Sequence, residues 1–342
     1  MRVLIVKTSS MGDVIHTLPA ITDALGQKKG LIFDWVVEEG FAEIPAWHPG
    51  VAEVIPVALR RWRKQPFKTL RSAEWKQFKR RLRKHHYDLV IDAQGLLKSA
   101  WLTRFVKAPV AGYDKTSVRE SWASWFYQHH YSVDRNQHAV ERIRELFAAA
   151  LGYQKPTTQG EYGLDACQFF GSQSESTNVV FLHGTTRDDK HYPEIYWQQL
   201  ANKLVADGYR VRIPWSNERE LSRAQRIAAG CSQVEVLPRL NIRGVASVLA
   251  QASAVVAVDT GLGHLTAALN IPAISLYGPT EPGLVGAYGD NQIHLKACEC
   301  EFTDISASSM RSVEPQVFEP LLPEILFTQL QKILRIQPRP VS

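Results

Sequence analysis

Short apolar runs rich in β-branched residues alternate with amphipathic segments along almost the whole chain, and this alternation leaves little freedom of fold. Strands that alternate with helices build parallel sheets covered by crossover helices, an α/β architecture. In the first half, Arg2 to Lys7, Ile32 to Val37, Ala52 to Pro56, Asp88 to Asp92 and Pro109 to Gly112 read as strands. Val14 to Leu25, Ala73 to Lys84, Leu97 to Val106 and His138 to Ala150 read as helices. The periodicity stops after Leu151, and the Gly-, Pro-, Gln-, Ser- and Thr-rich stretch from Gly152 to Ser176 predicts a domain junction. The pattern then restarts, with strands expected at Val179 to His183, Arg210 to Pro214, Val234 to Val236, Ala254 to Val258 and Ala273 to Tyr277. Helices fit Trp197 to Asp207, Glu220 to Ala229, Ile242 to Gln251 and Gly263 to Leu269. The 342 residues therefore divide into two doubly wound, Rossmann-like domains, 1–160 and 175–320. A third segment, 321–342, carries a helix from Glu324 to Leu334 that is expected to pack back on the first domain. Open parallel sheets bind ligands at the carboxyl ends of their strands, so two such domains facing each other would enclose a cleft.

Several classes of protein are excluded. No run approaches the ~18 apolar residues that cross a bilayer, and Met1-Arg2-Val3-Leu4 reads as a strand rather than an export signal, so a cytoplasmic protein is expected. Cys167, Cys231, Cys298 and Cys300 are too few and too unevenly spaced for a disulfide framework. Cys298-Glu299-Cys300 has no neighbouring Cys/His pair to complete a metal site. The net charge is only +6, but Arg60 to Lys84 holds twelve basic residues against the single acid Glu74. A field of that strength attracts phosphate, nucleic acid or an anionic membrane surface.

Four segments can carry chemistry. In Lys7-Thr8-Ser9-Ser10-Met11-Gly12-Asp13-Val14, a strand runs into a small-residue turn and then a helix, which places Asp13 at a helix start. An Asp there either caps the helix or serves as a general base. The helix dipole keeps it ionised and burial makes it more basic, and local sequence does not rank the two. Val258-Asp259-Thr260-Gly261-Leu262-Gly263-His264 repeats the strand-turn-helix pattern with glycines that suit either close packing or a diphosphate cradle. His183-Gly184-Thr185-Thr186-Arg187-Asp188-Asp189-Lys190-His191-Tyr192-Pro193 is a polar loop whose hydroxyls, Arg187 and Lys190 suit phosphate oxygens and a departing anion. Arg60-Arg61-Trp62-Arg63-Lys64 follows a strand on the ligand-binding side, and guanidinium forks there suit an anionic acceptor. The cations from Lys76 to Lys84 read as a solvated face.

Taken together, these segments resemble the ADP-heptose:lipopolysaccharide heptosyltransferases, glycosyltransferase family 9. The stretches that carry the likeness are V-K-T-S-S-M-G-D-V-I-H-T-L-P-A, D-W-V-V-E-E-G-F, R-R-W-R-K, D-A-Q-G-L-L-K-S-A, H-A-V-E-R, H-G-T-T-R-D-D-K-H-Y-P and V-D-T-G-L-G-H-L-T-A-A-L, in order from residue 3 to about 285. The resemblance implies a GT-B architecture, with an acceptor-binding first domain and a donor-binding second one. It implies inverting transfer of L-glycero-D-manno-heptose from ADP-heptose to the inner Kdo of Kdo2-lipid A, at the cytoplasmic leaflet of the bacterial inner membrane. Asp13 matches the catalytic base. Thr185, Thr186, Lys190, Asp259, Thr260, Gly261 and His264 match positions around the donor's diphosphate and sugar. Glu220 corresponds to the ribose position, with Glu218 close enough to replace it, and Leu240 to the adenine pocket. Arg60, Arg61, Arg63, Lys64, Arg119, His138 and Arg142 match the acceptor side. With Lys190 and the Gly261 helix start to neutralise departing ADP, no metal or cofactor is required in principle. Glycine 263 stands where many relatives carry serine, Tyr192 where tryptophan is common, and Ala297 to Glu314 matches nothing.

Three rivals are weaker. Members of the family that add later core heptoses would differ only in acceptor, and R-R-W-R-K with the start motif favours the first addition. A nucleotide-sugar-modifying enzyme of dinucleotide fold would need G-x-G-x-x-G after the first strand, where Thr8 to Asp13 offers one glycine. A nucleic-acid-binding protein would suit the charge, but the basic run joins no aromatic platform or reading motif.

Overall fold

The computed structural model describes residues 1–169, 177–297 and 316–336, and the chain divides into two compact units, Met1–Leu164 and Asp165–Ser342. Cys298, Cys300 and most of the unmatched 297–314 stretch lie outside the described residues. Cys167 and Cys231 are free thiols. No described helix is long and apolar enough to cross a membrane.

The first unit is one parallel sheet in the order β3-β2-β1-β4-β5-β6, with strands β1 (Arg2–Val6), β2 (Ile32–Glu38), β3 (Val51–Val57), β4 (Leu89–Asp92), β5 (Val110–Tyr113) and β6 (His129–Tyr131). Its helices are α1 (Met11–Ile15), α2 (Leu18–Gln27), α3 (Glu43–Ala46), α4 (Leu59–Trp62), α5 (Pro66–Arg71), α6 (Ala73–Leu82), α7 (Leu97–Thr103) and α8 (Ala139–Leu151). Val3 to Val6 are buried without alternation, as expected of a central strand covered by helices on both faces. The continuous helix expected from Val14 to Leu25 is instead two, α1 and α2. Pro19 lies in the first turn of α2, where its missing N–H costs nothing, and it cannot continue the ladder of α1.

The second unit repeats the plan in the order β12-β11-β10-β7-β8-β9, with β7 (Asn178–Leu182), β8 (Arg210–Ile213), β9 (Val234–Val236), β10 (Ala254–Val258), β11 (Ala273–Tyr277) and β12 (Gln292–Lys296), all parallel. Its helices are α9 (Glu194–Ala206), α10 (Glu218–Ala228), α11 (Ile242–Ala250), α12 (Gly261–Ala268), α13 (Pro282–Val285) and α14 (Pro323–Ile336). Trp197, Phe181 and Tyr192 centre the core, and the Tyr192 hydroxyl donates to Leu321 O at 2.6 Å. The last helix, expected on the first domain, is built into this second core instead: Leu326, Leu330 and Leu334 of α14 pack beside Phe318 and Leu321.

The division at Leu164/Asp165 falls inside the stretch read as a junction, Gly152 to Ser176, and the first part of that stretch is held on the first unit. Residues 153–163 carry no periodic pattern because they are held from outside. Buried Arg144 on α8 donates to Asp23 at 2.6 Å and Glu141 at 2.7 Å, and also to the carbonyls of Pro156 at 3.3 Å and Thr158 at 2.8 Å. Gly163 closes the strap at φ 66°, where a side chain would meet His48 Nε2 at 2.5 Å. Removing one partner of a buried ion pair leaves a buried uncompensated charge. Arg144→Ala should therefore destabilise the first unit by about 3–5 kcal/mol, read by denaturant unfolding. A loss below 1 kcal/mol, the scale of a surface pair, would contradict this account.

Candidate active site

The order β3-β2-β1-β4 makes β1 and β4 neighbours that leave in opposite directions, and such a switch point opens a crevice at their carboxyl ends. Gln94, just after β4, closes it from below: its Oε1 accepts the N–H groups of Thr8 and Ser9, each at 3.0 Å. The Lys7 ammonium donates to Ala93 O at 3.0 Å, and the Trp35 indole donates to Lys7 O at 3.0 Å. Lys98, on α7, donates to Ser9 Oγ at 3.0 Å. Asp92 anchors the β4 loop by accepting from Gln94 N, Gly95 N, Ser99 Oγ and Tyr127 OH. Burial outweighs these donors and pushes its carboxyl up to about 6. The folded state therefore binds this proton more tightly than the unfolded chain, and that stabilisation is lost as pH rises through about 6.

Asp13 is not the residue preceding the helix; Ser10 is. Asp13 stands one turn inside α1 and reaches back, its Oδ2 accepting from Ser10 N and Ser10 Oγ, both at 2.8 Å. Its Oδ1 is 3.5 Å from the Lys7 ammonium, and the side chain is 29% exposed. The cap and base readings are thus compatible, because one oxygen is spent on the turn and the other faces Lys7. Burial pushes this carboxyl up, but Lys7, the two Ser10 hydrogen bonds and His16 together overcome it and hold the group well below the usual carboxylate range. The competition left open by the sequence is decided for the ionised form.

The acceptor candidates all belong to the first unit. Arg60, Arg63 and Lys64 are exposed on and beside α4, and Arg60 stacks over Phe41. Burial, Arg60 and Arg63 lower the pKa of Lys98 while Glu38 and Asp13 raise it, so this cluster and the Asp13 loop share one field. Arg61 differs: it is clamped by Glu39 at 3.0 Å and Glu74 at 2.6 Å, which ties α4 to α6. His138 caps α8 through its ring nitrogen, 3.2 Å from Val140 N, and lies edge-on to His16 with centroids 5.3 Å apart. Arg142 donates to Ser117 O at 3.2 Å and stacks over Tyr113, whereas Arg119 is exposed.

The donor candidates gather at the corresponding switch point of the second sheet, between β7 and β10. The Lys190 ammonium is ion-paired with Asp259, and Thr185 Oγ1 donates to Asp259 O at 3.3 Å, which draws the β7 loop onto the β10 loop. Thr260 precedes α12 without spending its hydroxyl on the helix end, and Gly261 opens that helix. Gly263 faces the sheet: an added Cβ would meet Ala257, Val258 O and Ser275 at 3.5 Å or more, so its smallness does not serve ligand approach. His264 is buried one turn into α12, and Thr186 is exposed. Glu220 stands against Gly184, its carboxylate accepting from Ser216 N at 2.7 Å, whereas Glu218 is exposed at the start of α10. Leu240 is half-buried before α11. Arg187, expected to bind phosphate, is instead paired with Asp189.

Sequence reasoning gave no role to Lys7, His16, Gln94, Asp92 or Lys98, although the quoted D-A-Q-G-L-L-K-S-A stretch contains three of them. For Lys7, Asp92 and Gln94 the signal is a polar residue at or just past the end of a buried strand, whereas His16 and Lys98 lie at or on helices and carry no such mark. It also passed over His183, fully buried beneath the donor loop, where burial and nearby Arg223 and His191 keep the ring neutral, with a pKa near 3. Asp34, Glu53 and His85 bring ligand-type atoms together, but Arg2, Tyr87, Arg81 and Lys84 already satisfy both carboxylates, so an ionic network accounts for the cluster.

Known proteins resemble this chain in sequence and in fold. A family model described as glycosyltransferase family 9 (heptosyltransferase) matches residues 75–310. Lipopolysaccharide heptosyltransferase 1 of Pseudomonas aeruginosa is 56% identical over 348 residues, covering 98% of each chain. The structure of Escherichia coli heptosyltransferase WaaC with ADP superposes with a TM-score of 0.88 at 49% identity, covering 97% of this chain and 100% of that one. The same enzyme with ADP-2-deoxy-2-fluoro heptose gives 0.84 at 48% identity, covering 97% and 99%. Lipopolysaccharide heptosyltransferase 2 of Escherichia coli is 22% identical over 301 residues, 82% of this chain and 84% of that one.

Because Lys7 is the largest influence holding Asp13 ionised, Lys7→Met should raise the Asp13 pKa. Its contribution to stability, present above the unfolded carboxylate value, would then be lost at a higher pH during acidification. With Asp13 as the proton acceptor proposed below, the acid limb of kcat/KM should move up by about one unit or more, whereas the parent chain should show none from Asp13 in the usual carboxylate range. An unchanged acid limb would contradict the assignment.

Proposed function

The chain belongs to glycosyltransferase family 9, the heptosyltransferases, and from that membership we propose a specific reaction for it. It is a lipopolysaccharide heptosyltransferase of GT-B type, with two Rossmann-like α/β units. The proposed donor is ADP-heptose and the proposed acceptor is the inner Kdo of Kdo2-lipid A, presented at the cytoplasmic face of the inner membrane. In this reading Asp13 accepts the proton of the acceptor hydroxyl as its oxygen bonds to the anomeric carbon. The bond from that carbon to the diphosphate oxygen breaks, and ADP leaves with the electron pair on the opposite face, which inverts the anomeric centre. Thr185, Thr186, Lys190, Thr260 and the start of α12 surround the developing negative charge in the donor unit, and such preorganised donors are commonly the largest catalytic contribution. Lys190 begins in an ion pair with Asp259, so it would share its charge between that carboxylate and the diphosphate. Glu220 would hold the ribose and Leu240 the adenine. The charge on the leaving group is met by these groups, and the proposal assigns no step to a metal or cofactor.

The observation that carries this reading is the state of the β1 loop. In a dinucleotide-binding enzyme the amides of that loop cradle a pyrophosphate. Here the N–H groups of Thr8, Ser9 and Ser10 are already donated to Gln94 and Asp13, and an ionised carboxylate occupies the helix start. The loop therefore suits a proton-accepting role and repels phosphate. Identity of 56% to a first heptosyltransferase against 22% to a second favours the innermost acceptor.

Mass spectrometry of Kdo2-lipid A incubated with the protein and ADP-heptose tests the proposal. The parent chain should add one heptose, and Asp13→Ala should lower the rate by about 10²- to 10⁴-fold with donor affinity intact. No addition by the parent chain, or undiminished transfer by the variant, would contradict it.

A further inference from the structure

The basic stretch after β3 contains exposed apolar side chains that neither the core nor the proposed active site uses. Phe67 is 84% exposed and Leu70 about half exposed on α5, sharing that short helix with Lys68 and Arg71. Further along the chain, the 3₁₀ turn Ser121–Phe126 presents Trp122 at 59% and Trp125 at 70% exposure, their rings edge-to-face with centroids 4.3 Å apart. That turn packs on α7, which adds partly exposed Leu97 and Trp101. The two groups are joined by α6: it packs on α5, and its buried Trp75 stacks on Trp101 at 5.5 Å and meets Trp62 of α4 edge-on at 5.4 Å. A continuous aromatic layer of Trp62, Trp75, Trp101 and Phe105 thus runs from α4 to α7 between the two groups.

Cations surround this face. Lys76, Lys79, Arg80, Arg83 and Lys84 line one depression on α6, and Arg104 stacks over Phe126. The acid within the basic stretch, Glu74, is neutralised by Arg61, and Glu120 accepts from Leu97 N. Exposed tryptophan, phenylalanine and leucine interleaved with lysine and arginine have the composition of a surface that sits in the headgroup layer of an anionic bilayer. A single-stranded nucleic acid would use the aromatic rings for stacking but gain nothing from Leu70 and Leu97. We propose that Phe67, Leu70, Leu97, Trp101, Trp122 and Trp125 form an interfacial docking face that inserts into anionic lipid and holds the first unit against the membrane carrying its acceptor. The inference deepens the lipid-borne acceptor reading given above.

Flotation of the full chain with extruded vesicles tests it. The chain should float with phosphatidylcholine–phosphatidylglycerol vesicles, less with phosphatidylcholine alone, and less as salt rises. Trp122→Ser with Trp125→Ser, and separately Phe67→Ser with Leu70→Ser, should each weaken partitioning by about tenfold. Ile195→Ser with Val285→Ser, which removes exposed apolar residues of the second unit, should leave it unchanged. All variants should keep the parent unfolding temperature, because these side chains lie outside the cores. Heptose transfer to a deacylated, water-soluble acceptor should be the same in the Trp122/Trp125 variant as in the parent, while transfer to vesicle-embedded acceptor should show a raised KM. The proposal is overturned if the parent chain ignores mixed vesicles, if the paired variants float like the parent, if single-stranded DNA is bound in place of vesicles, or if transfer to the soluble acceptor falls as far as transfer to the embedded one. A parent chain that transfers heptose to neither acceptor would overturn the enzymatic reading, and flotation would still decide the docking face.

Discussion

The Lys7 ammonium is almost fully removed from water, and Asp13 is the carboxylate that balances it. A buried cation without a counter-charge is costly, so the pair constrains everything built around it. At an effective dielectric of ~20, opposite charges about 4 Å apart attract by on the order of 4 kcal/mol, enough to reverse the effect of burial on the carboxylate. The pair fixes the direction of the β1 loop, and Gln94 extends that order to β4. For the proposed reaction it also sets a chemical compromise: Asp13 would always be ionised and ready to accept a proton, but would be a weak base until charge develops on the attacking oxygen.

The second unit uses the same device for a different end. Lys190 follows β7, Asp259 follows β10, and their ion pair joins the two loops at the switch point of that sheet. In the first unit the lysine is buried and the carboxylate partly exposed, which keeps that carboxylate ionised and within reach of solvent. In the second the pair sits beside a helix start and the hydroxyls of Thr185 and Thr260, which favours an anion. In the proposed reaction, two copies of one architecture would thus separate proton chemistry from leaving-group chemistry by where each places its charge.

Much of the fold was legible because central strands carry unbroken apolar runs, Val3 to Val6 in β1 and all of Ala254–Val258, which a solvent-facing segment rarely does. The missed strands, His129–Tyr131 and Gln292–Lys296, lie at sheet edges, where polar residues are tolerated and the apolar signal fades. Residues 153–163 were read as part of a junction because their order comes from contacts with Arg144 on α8 and with the distant His48, not from a periodic pattern of their own. In the site, the positions of Asp13, Lys190, Asp259 and Gly261 follow from strand-turn-helix spacing. The clamping of Arg61 by Glu39 and Glu74, the pairing of Arg187 with Asp189 and the Gln94 bridge to Thr8 and Ser9 did not. Local sequence carries no trace of partners as far apart as Thr8 and Gln94, and for the closely spaced Arg187 and Asp189 it does not say that they pair with each other.

In the proposed reaction, one carboxylate acts on the acceptor while the diphosphate departs from the other side, which permits a single displacement and no covalent sugar-enzyme stage. The anomeric configuration of the heptose in the product, read by nuclear magnetic resonance against that of the donor, tests this directly. The account predicts the opposite configuration at that carbon; the same configuration in donor and product would contradict it.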